Sequence, residues 1–299
     1  MAIPSERVRV SVPASVANLG AGFDCLAAAI GLRAEIALAA STSPVIAVSG
    51  VAVPQDTSNL IYRSASAVAE RTGYTGAFEL RAHFPIPLRG GLGSSAAAIV
   101  GGVVAAARLL GAAMDQDDLL DLAVRLEGHP DNVAAALLGG VVVVAQNGAG
   151  VRWSRLMPAL PLAVVLAVPD LEIETAAARR ALPESVTLPD AVFNLGQVAL
   201  LVTALSQGRS DLLRDSLRDR LHQPYRAPLV PGFEAVVDAA AGAGAYGAVL
   251  SGSGPSVAAL SPPEPAAAVG EAMRAAFAHA GVTSRIIVTE IDPHGALEL

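Results

Sequence analysis

The sequence predicts a two-domain protein that mixes helices with strands. The chain has 299 residues, enough for two compact domains of about 150 residues each. Short segments in which polar and apolar residues alternate, typical of strands, are interspersed with longer runs rich in alanine, valine and leucine, typical of buried helices. This pattern restarts after Pro158. We therefore expect an N-terminal domain over residues 1–155 and a C-terminal domain over residues 156–299.

Local patterns predict the elements of the N-terminal part in order. Alternation predicts a strand that ends at Pro13, and Pro85 is expected to end another, because proline cannot donate to a sheet. Thr57 or Ser58 is expected to cap a helix that closes near Gly73. Acidic residues at the start of a further helix suit the helix dipole. The predicted strands are residues 8–12, 30–40, 45–53, 78–84 and 141–145, and the predicted helices are residues 57–70, 94–110 and 115–126.

The C-terminal part repeats the same two patterns. Apolar or alternating segments of four to seven residues predict strands, and longer amphipathic segments predict helices. The predicted strands are residues 162–168, 246–251, 256–260 and 285–291, and the predicted helices are residues 175–182, 190–206, 211–217, 233–241 and 264–280.

Composition limits the classes of partner. The chain is 53% hydrophobic and 16% charged, with a net charge of −7, which favours a globular protein and argues against nucleic acid or an anionic membrane as partner. The apolar runs are expected to be broken before the roughly 20 residues that span a bilayer. Cys25 is the single cysteine, and residues 1–9 do not have the pattern of a signal peptide. We therefore expect a cytoplasmic protein that acts on small molecules.

A glycine-rich segment followed by two serines is the most informative part of the chain. Glycines let backbone amides approach a ligand closely, and a helix that begins near Ser94 would direct its unpaired amides and positive dipole end at an anion. One serine hydroxyl could ligate Mg²⁺ and the other could bond a phosphate oxygen. The chain has no lysine, which excludes a Walker-type loop and a kinase-type strand lysine. The segment consists of Pro87, Leu88, Arg89, Gly90, Gly91, Leu92, Gly93, Ser94, Ser95, Ala96 and Ala97.

Two other interpretations of this segment compete with a phosphate cradle. Residues 91–96 also match the G-x-G-x-x-G/A pattern of dinucleotide-binding folds. That pattern requires its glycines directly after a strand, whereas residues 85–90 intervene here. A glycine turn with a purely structural role is the second alternative. The adjacent serines favour phosphate binding, because an ordinary turn does not require them.

The glycine-rich segment resembles the central motif of the GHMP kinases, the family of galactokinase, homoserine kinase and mevalonate kinase. Residues 12–24 and 250–256 resemble the family's N-terminal and C-terminal motifs, so the resemblance spans the chain. Within the family, residues 127–132, 175–179 and 222–226 are most similar to the homoserine kinases, and the Gly-Glu-His signature of galactokinases is absent. One departure is Ala21, which stands where homoserine kinases usually have proline.

The resemblance implies a fold, a reaction and a set of site residues. It implies an α+β fold with an N-terminal α/β domain and a ferredoxin-like C-terminal domain, ATP and Mg²⁺ as cofactors, and L-homoserine as substrate. Ser95 and Glu127 would bind the metal, and Asn59 would line the adenine pocket, although Asn59 could equally be a helix-start residue. The glycine-rich segment would hold ATP together with Gly252, Ser253 and Gly254. Implied contacts to the substrate are Asn18, Asp24, His129, Asn132, Thr175, Arg179 and Arg226.

The catalytic base is the open point of this interpretation. An asparagine amide at Asn132 could orient a hydroxyl but could not take its proton, so Asp131 is the fallback base. Arg179 and Arg226 suit a substrate carboxylate, since guanidinium groups offer parallel donors, and Asp24 would face the substrate ammonium. Another GHMP kinase, such as an isoprenoid-pathway enzyme, and a non-catalytic ATP-binding regulator are the alternatives. A homodimer is compatible with the sequence.

Overall fold

The computed structural model describes residues 7–146, 148 and 150–299, and these residues form two sheets covered by helices. The strands are β1 (Arg7–Ala17), β2 (Leu26–Ser41), β3 (Val45–Ser49), β4 (Ala77–His83), β5 (Val141–Gln146), β6 (Val151–Leu156), β7 (Ala163–Pro169), β8 (Gly247–Leu250), β9 (Val257–Ser261), β10 (Ser284–Glu290) and β11 (Leu297–Glu298). The helices are α1 (Leu60–Thr72), α2 (Ser94–Leu109), α3 (Gln116–Glu127), α4 (Asp131–Leu138), α5 (Thr175–Arg180), α6 (Leu188–Gln207), α7 (Ser210–Ser216), α8 (Gln223–Arg226), α9 (Phe233–Gly242) and α10 (Ala266–His279).

The first sheet supports the helix that follows the glycine-rich segment. Its strand order is β11-β1-β2-β4-β3, and β5 and β6 extend it from β2. Helix α2 packs against β1 and β2 and is surrounded by α1, α3 and α4. Small residues let these neighbours come close: a Cβ on Gly102 would lie 2.3 Å from the Ile61 carbonyl oxygen. The start of α2 is therefore held rigidly by the core of the N-terminal part.

The second sheet confirms the ferredoxin-like C-terminal part. Its order is β10-β7-β9-β8, and all three strand pairs are antiparallel. Helices α9 and α10 pack against this sheet, so β7, α9, β8, β9, α10 and β10 form the β-α-β-β-α-β arrangement. Helices α5 to α8 are inserted between β7 and α9. The break between the sheets lies between Leu156 and Ala163, and the last strand, β11, returns to β1 in the first sheet.

Several predicted elements are wrong in their boundaries or were missed. Strand β1 does not end at Pro13 but continues to Ala17, because a register shift between Pro13 and Ala14 accommodates the proline. Asn59, not Thr57 or Ser58, caps α1, since its side chain accepts the Ile61 amide. Strand β6 and helix α4 were not predicted, because β6 is a short segment that contains two arginines and a serine, and α4 is a short apolar segment followed by two glycines.

Helix α6 contradicts the expectation that every apolar run is broken early. It is long and apolar enough to cross a membrane by length and composition alone, and Asp190 is its one charged residue. One side of α6 is part of the fold: Leu201, Ala204 and Leu205 are buried, and Asn194 hydrogen-bonds to the Ala21 carbonyl oxygen.

Candidate active site

The glycine-rich segment connects β4 to α2 and leaves the first turn of α2 without a side-chain cap. Gly91 and Gly93 have φ angles of 74° and 65°, a region that glycine adopts without steric cost. A Cβ on Gly91 would lie 2.2 Å from the Ser251 carbonyl oxygen, and a Cβ on Gly93 would lie 2.0 Å from Ser15 Oγ. Gly93 caps α2 with no side-chain hydrogen bond. The first amides of α2 can therefore bind an anion, and a phosphate suits them.

Ser95 and Glu127 meet beside this cradle. Ser95 lies in the first turn of α2, and Glu127 is the last residue of α3. Ser95 Oγ donates to Glu127 Oε1 at 2.5 Å, and the Glu127 side chain is only 7% exposed. No group of three or more His, Cys, Asp or Glu side chains that could cage a metal occurs among the described residues. A hydroxyl and one carboxylate do fit Mg²⁺, which keeps waters and takes further ligands from phosphates.

His129, Asp131 and Asn132 form a hydrogen-bonded chain at the start of α4. His129 Nδ1 lies 3.0 Å from Asp131 Oδ1, which also accepts the Asn132 amide at 2.7 Å. Ser15 Oγ donates to Asn132 Oδ1 at 2.8 Å. Burial opposes a positive charge on His129, but the hydrogen bond to Asp131 and the charges of Asp131 and Glu127 outweigh it and raise the pKa of His129. These contacts fix the orientation of every polar group that faces the cradle from α4.

Asp24 and Arg179 form a two-pronged ion pair across the cavity from α2. Both distances between the guanidinium nitrogens and the carboxylate oxygens are 2.9 Å. The hydrogen bond to Asp24 is the main reason that the pKa of Arg179 is raised. The Asp24 amide donates to Asn18 Oδ1 at 3.1 Å. The two groups expected to bind the ammonium and the carboxylate of the substrate thus bind each other in this structure.

Arg226, the last residue of α8, lines the same cavity as Asp24 and Arg179. It is 2% exposed, and its guanidinium donates to the Gly252 carbonyl oxygen at 3.1 Å and the Ala178 carbonyl oxygen at 3.3 Å. Burial, followed by the nearby charge of Arg179, lowers the pKa of Arg226. Asn18 Nδ2 donates to the same Gly252 carbonyl at 3.0 Å. The turn that contains Gly252 therefore joins the N-terminal motif to the second arginine.

One cavity brings most of the predicted site residues together. They come from loops and helices of both the N-terminal and the C-terminal part, and Ala17 is the one lining residue among the described residues that was not predicted. The predicted residues that line this cavity are Asn18, Asp24, Arg89, Gly91, Leu92, Gly93, Ser94, Ser95, Glu127, His129, Asp131, Asn132, Thr175, Arg179, Arg226, Gly252 and Ser253.

Seven predicted residues lie outside the lining of this cavity. Both polar groups of the Asn59 side chain are engaged in the start of α1, since it accepts the Ile61 amide and donates to the Pro54 carbonyl oxygen. The Gly90 carbonyl oxygen accepts the Ser256 amide, which joins the glycine-rich segment to the turn after β8, and the Gly254 amide donates to the Ser251 carbonyl oxygen within that turn. The remaining four are Pro87, Leu88, Ala96 and Ala97, of which Ala96 and Ala97 are core residues of α2.

Several residues that shape the site were missed by the sequence analysis. Ser15 orients Asn132, and Ser251 Oγ donates to the Gly91 carbonyl oxygen at 2.7 Å. Phe23 lies against both arginines. His222 donates from Nε2 to the Gly20 carbonyl oxygen at 2.8 Å. All four occur in or beside the motif segments, which is the signal that could have identified them.

Comparisons with known proteins agree with the geometry. The family model described as "GHMP kinases N terminal domain" matches residues 59–140, and the one described as "GHMP kinases C terminal" matches residues 201–279. The chain belongs to the GHMP kinase family. It is 43% identical to a homoserine kinase of Synechococcus over 97% of this chain and 95% of that protein. It is 44% identical to a homoserine kinase of Moorella thermoacetica over 96% of this chain and 98% of the relative.

A solved GHMP kinase structure confirms the two-domain fold. The crystal structure of homoserine kinase from Cytophaga hutchinsonii superposes with a TM-score of 0.90 at 33% identity, covering 100% of this chain and 99% of the other. As a GHMP kinase the chain is an ATP-dependent phosphotransferase that acts on a small molecule.

Proposed function

We propose that this GHMP kinase transfers the terminal phosphoryl group of ATP to the side-chain hydroxyl of L-homoserine, forming O-phospho-L-homoserine and ADP. The observation that carries this proposal is the pairing of Asp24 with Arg179 in the cavity that also contains the start of α2. One carboxylate and two guanidinium groups beside a phosphate cradle suit a substrate that has an ammonium, a carboxylate and a hydroxyl. The relatives named homoserine kinase support it.

The Asp24–Arg179 ion pair can exchange partners with the two charges of an amino-acid substrate. A zwitterion brings one positive and one negative charge, so its ammonium can replace Arg179 on Asp24 while its carboxylate replaces Asp24 on Arg179. No charge is left without a partner in this exchange, which keeps the desolvation penalty low. A substrate with only negative groups would replace Asp24 on Arg179 and leave Asp24 uncompensated, and one with only an ammonium would leave Arg179 uncompensated.

In the proposed mechanism the substrate hydroxyl oxygen bonds to the terminal phosphorus as the bond from that phosphorus to the bridging oxygen of ADP breaks. Such a transfer passes through a loose transition state, so positioning and charge stabilisation matter most. The α2 amides, Ser94 and the glycine-rich segment would hold the phosphates. Ser95 and Glu127 would hold Mg²⁺, which when bound neutralises charge on the phosphate oxygens.

No protein base needs to take the hydroxyl proton in this proposal, because the proton can pass to an oxygen of the transferred phosphoryl group or to water as the new P–O bond forms. Asn132 has no useful basicity, and its amide oxygen already accepts from Ser15. Asn132 would orient the hydroxyl. Asp131 is the one carboxylate next to it, and its Oδ1 atom is occupied by His129 and the Asn132 amide. We therefore assign Asp131 to orientation first and keep it as the alternative base.

Further features of the proposal concern the cell and the assembly. We propose that the protein works in the cytoplasm on ATP and L-homoserine, without nucleic acid or membrane as partners, and that it can form a homodimer. The net charge of −7 supports the absence of nucleic acid. Size-exclusion chromatography with light scattering tests the homodimer, and cell fractionation tests the location.

An ADP-release assay across several alcohols tests the reaction. The purified chain is supplied with Mg²⁺, ATP and, in separate reactions, L-homoserine, mevalonate and 3-amino-1-propanol, and products are identified by phosphorus NMR. The proposal requires that L-homoserine is phosphorylated with the highest kcat/KM. A preference for mevalonate would favour an isoprenoid-pathway kinase, and ATP binding without turnover of any alcohol would favour a non-catalytic regulator.

A further inference from the structure

We propose that Phe23 is a positioning residue whose ring holds the guanidinium groups of Arg179 and Arg226 in place for one substrate carboxylate. The carbon Cζ of Arg226 lies 5.1 Å from the centroid of the Phe23 ring, and Cζ of Arg179 lies 5.7 Å from it. A cation within about 6 Å of an aromatic centroid is attracted by the electrons of the ring. This inference rests on the proposed function, because it concerns the same amino-acid subsite.

The two arginines need such a partner because their charges are alike. Arg179 is paired with Asp24, but Arg226 makes its hydrogen bonds to the backbone carbonyls of Ala178 and Gly252. The charge of Arg179 and the burial of Arg226 both disfavour the charged form of Arg226, as its lowered pKa indicates. Phe23 offers both cations negative electron density without offering a carboxylate that would compete with the substrate.

The ring is itself fixed from the C-terminal part of the chain. His222 stacks on Phe23 with centroids 5.3 Å apart and ring planes 27° apart. His222 is completely buried and donates to the Gly20 carbonyl oxygen, which anchors it to the loop that carries Phe23. Burial lowers the pKa of His222, so it packs as a neutral ring and adds no third positive charge.

Phe23 and Asp24 are adjacent in the chain, so the ring and the carboxylate lie in the same turn. Asp24 has a φ of 54°, which places it in the left-handed region. The ring and the carboxylate therefore leave the same short turn, with Asp24 directed at Arg179 and Phe23 at both arginines. This turn thus contacts both arginines that would bind the substrate carboxylate and carries the carboxylate that would bind its ammonium.

Phe23→Leu tests the role of the ring. Loss of two partly desolvated cation–π contacts is expected to raise the KM for L-homoserine by about 5- to 30-fold. The KM for ATP is expected to stay within about twofold. The decisive readout is 3-amino-1-propanol, which lacks the carboxylate, measured as a competitive inhibitor against L-homoserine. Its inhibition constant is expected to stay within about twofold, because it does not use the guanidinium groups.

The chain offers a matched control in Phe193 of α6. Its ring also lies beside two arginines, at 4.0 Å from Cζ of Arg220 and 5.9 Å from Cζ of Arg218, but unlike Arg179 and Arg226 these arginines do not line the cavity. Phe193→Leu removes the same kind of contact and is expected to leave both constants unchanged. Phe23→Tyr keeps the ring and is expected to retain the wild-type KM for L-homoserine.

A shape-preserving replacement keeps the test valid if Phe23→Leu fails to fold. Pentafluorophenylalanine at position 23 keeps a ring of similar size but reverses its charge distribution, so it is expected to raise the KM for L-homoserine as Phe23→Leu does. An unchanged KM in the fluorinated enzyme overturns the inference, as does an equal loss of affinity for L-homoserine and 3-amino-1-propanol. A wild-type enzyme that fails to phosphorylate L-homoserine overturns the proposed function instead.

Discussion

Substitution of Arg179 is expected to change substrate binding much more than folding stability. The side chains of Arg179 and Asp24 are 39% and 34% exposed. An ion pair with this much solvent contact contributes between about 0 and 1 kcal/mol to folding. Arg179→Ala should therefore lower the melting temperature by no more than about 4 °C. Its effect on the substrate is expected to be much larger, because a bound carboxylate would lose a hydrogen-bonded charge partner, which costs roughly 2–5 kcal/mol.

These magnitudes predict that Arg179→Ala lowers kcat/KM for L-homoserine by about 30-fold or more while ATP affinity changes little. Initial rates of ADP release over a range of L-homoserine concentrations, with differential scanning fluorimetry on the same samples, measure both effects. Arg180→Ala is the matched control, since Arg180 is the neighbouring exposed arginine at the end of α5 and does not line the cavity. It is expected to behave as wild type in both assays.

Arg226→Ala is expected to cause a similar loss of kcat/KM, but it is the less informative variant. Arg226 is 2% exposed and bonds to two backbone carbonyls, so its removal also takes a donor from the buried Ala178 carbonyl, while Gly252 keeps Asn18. A loss smaller than about threefold in Arg179→Ala would refute the carboxylate role. An equal loss against 3-amino-1-propanol would refute it too, because that compound has no carboxylate to lose.

Three further predictions concern the proposed metal site, the transfer of the hydroxyl proton and the Cys25 thiol. Glu127→Ala should lower kcat by at least ~10²-fold in single-turnover measurements at every Mg²⁺ concentration. A rate within tenfold of wild type at all concentrations would show that Glu127 is not a metal ligand. The kcat profile should show no essential-base limb between about pH 6 and 9, and a thousandfold loss in a folded Asp131→Asn variant would instead identify Asp131 as the base. Burial, followed by the charges of Asp131 and Asp24, raises the pKa of Cys25 to about 11, so its thiol should react with iodoacetamide at pH 7.5 about a hundredfold more slowly than a free thiol. Asp131→Asn should speed this alkylation, and an unchanged rate would count against the electrostatic cause.

The sequence was sufficient to predict the glycine-rich segment and the helix start that follows it, because the signal for both is local. Helix α2 was predicted over residues 94–110 and runs over Ser94–Leu109, because its run of alanine, valine and leucine is longer than a typical strand and is followed by Gly111. The capping acid of α3, Asp115, was also expected at the start of its helix and caps it by accepting the Asp118 amide. In both cases the determining contacts lie within a few residues of each other.

The loop that carries Asp24 could not be predicted in the same way. Asn18, Leu19 and Asp24 all have positive φ angles, a conformation that costs roughly 1 kcal/mol or more for residues other than glycine. Asn and Asp adopt this region more readily than most residues, but they do not by themselves predict this turn, and the sequence analysis ended the first strand at Pro13. The structure instead continues β1 to Ala17 before the strained turn begins.

Contacts from distant parts of the chain stabilise this strained turn. Asn194 Nδ2 donates to the Ala21 carbonyl oxygen, and His222 Nε2 donates to the Gly20 carbonyl oxygen. Asn18 Nδ2 donates to the Gly252 carbonyl oxygen. All three partners are more than 170 residues away in sequence, and they belong to the helices and the turn of the C-terminal part.

Because the turn that carries Asp24 depends on distant contacts, the proposed amino-acid subsite is harder to predict from the sequence than the proposed phosphate cradle. The cradle needs glycines and a helix start, which are local features. The proposed subsite needs Asp24, Arg179 and Arg226 at fixed positions. These residues are held by contacts between the N-terminal and C-terminal parts, since Asp24 pairs with Arg179 and Phe23 lies against Arg226. Because the strain of the turn is balanced only when both parts pack together, the geometry that would select the phosphoryl acceptor arises from their packing and not from any one segment.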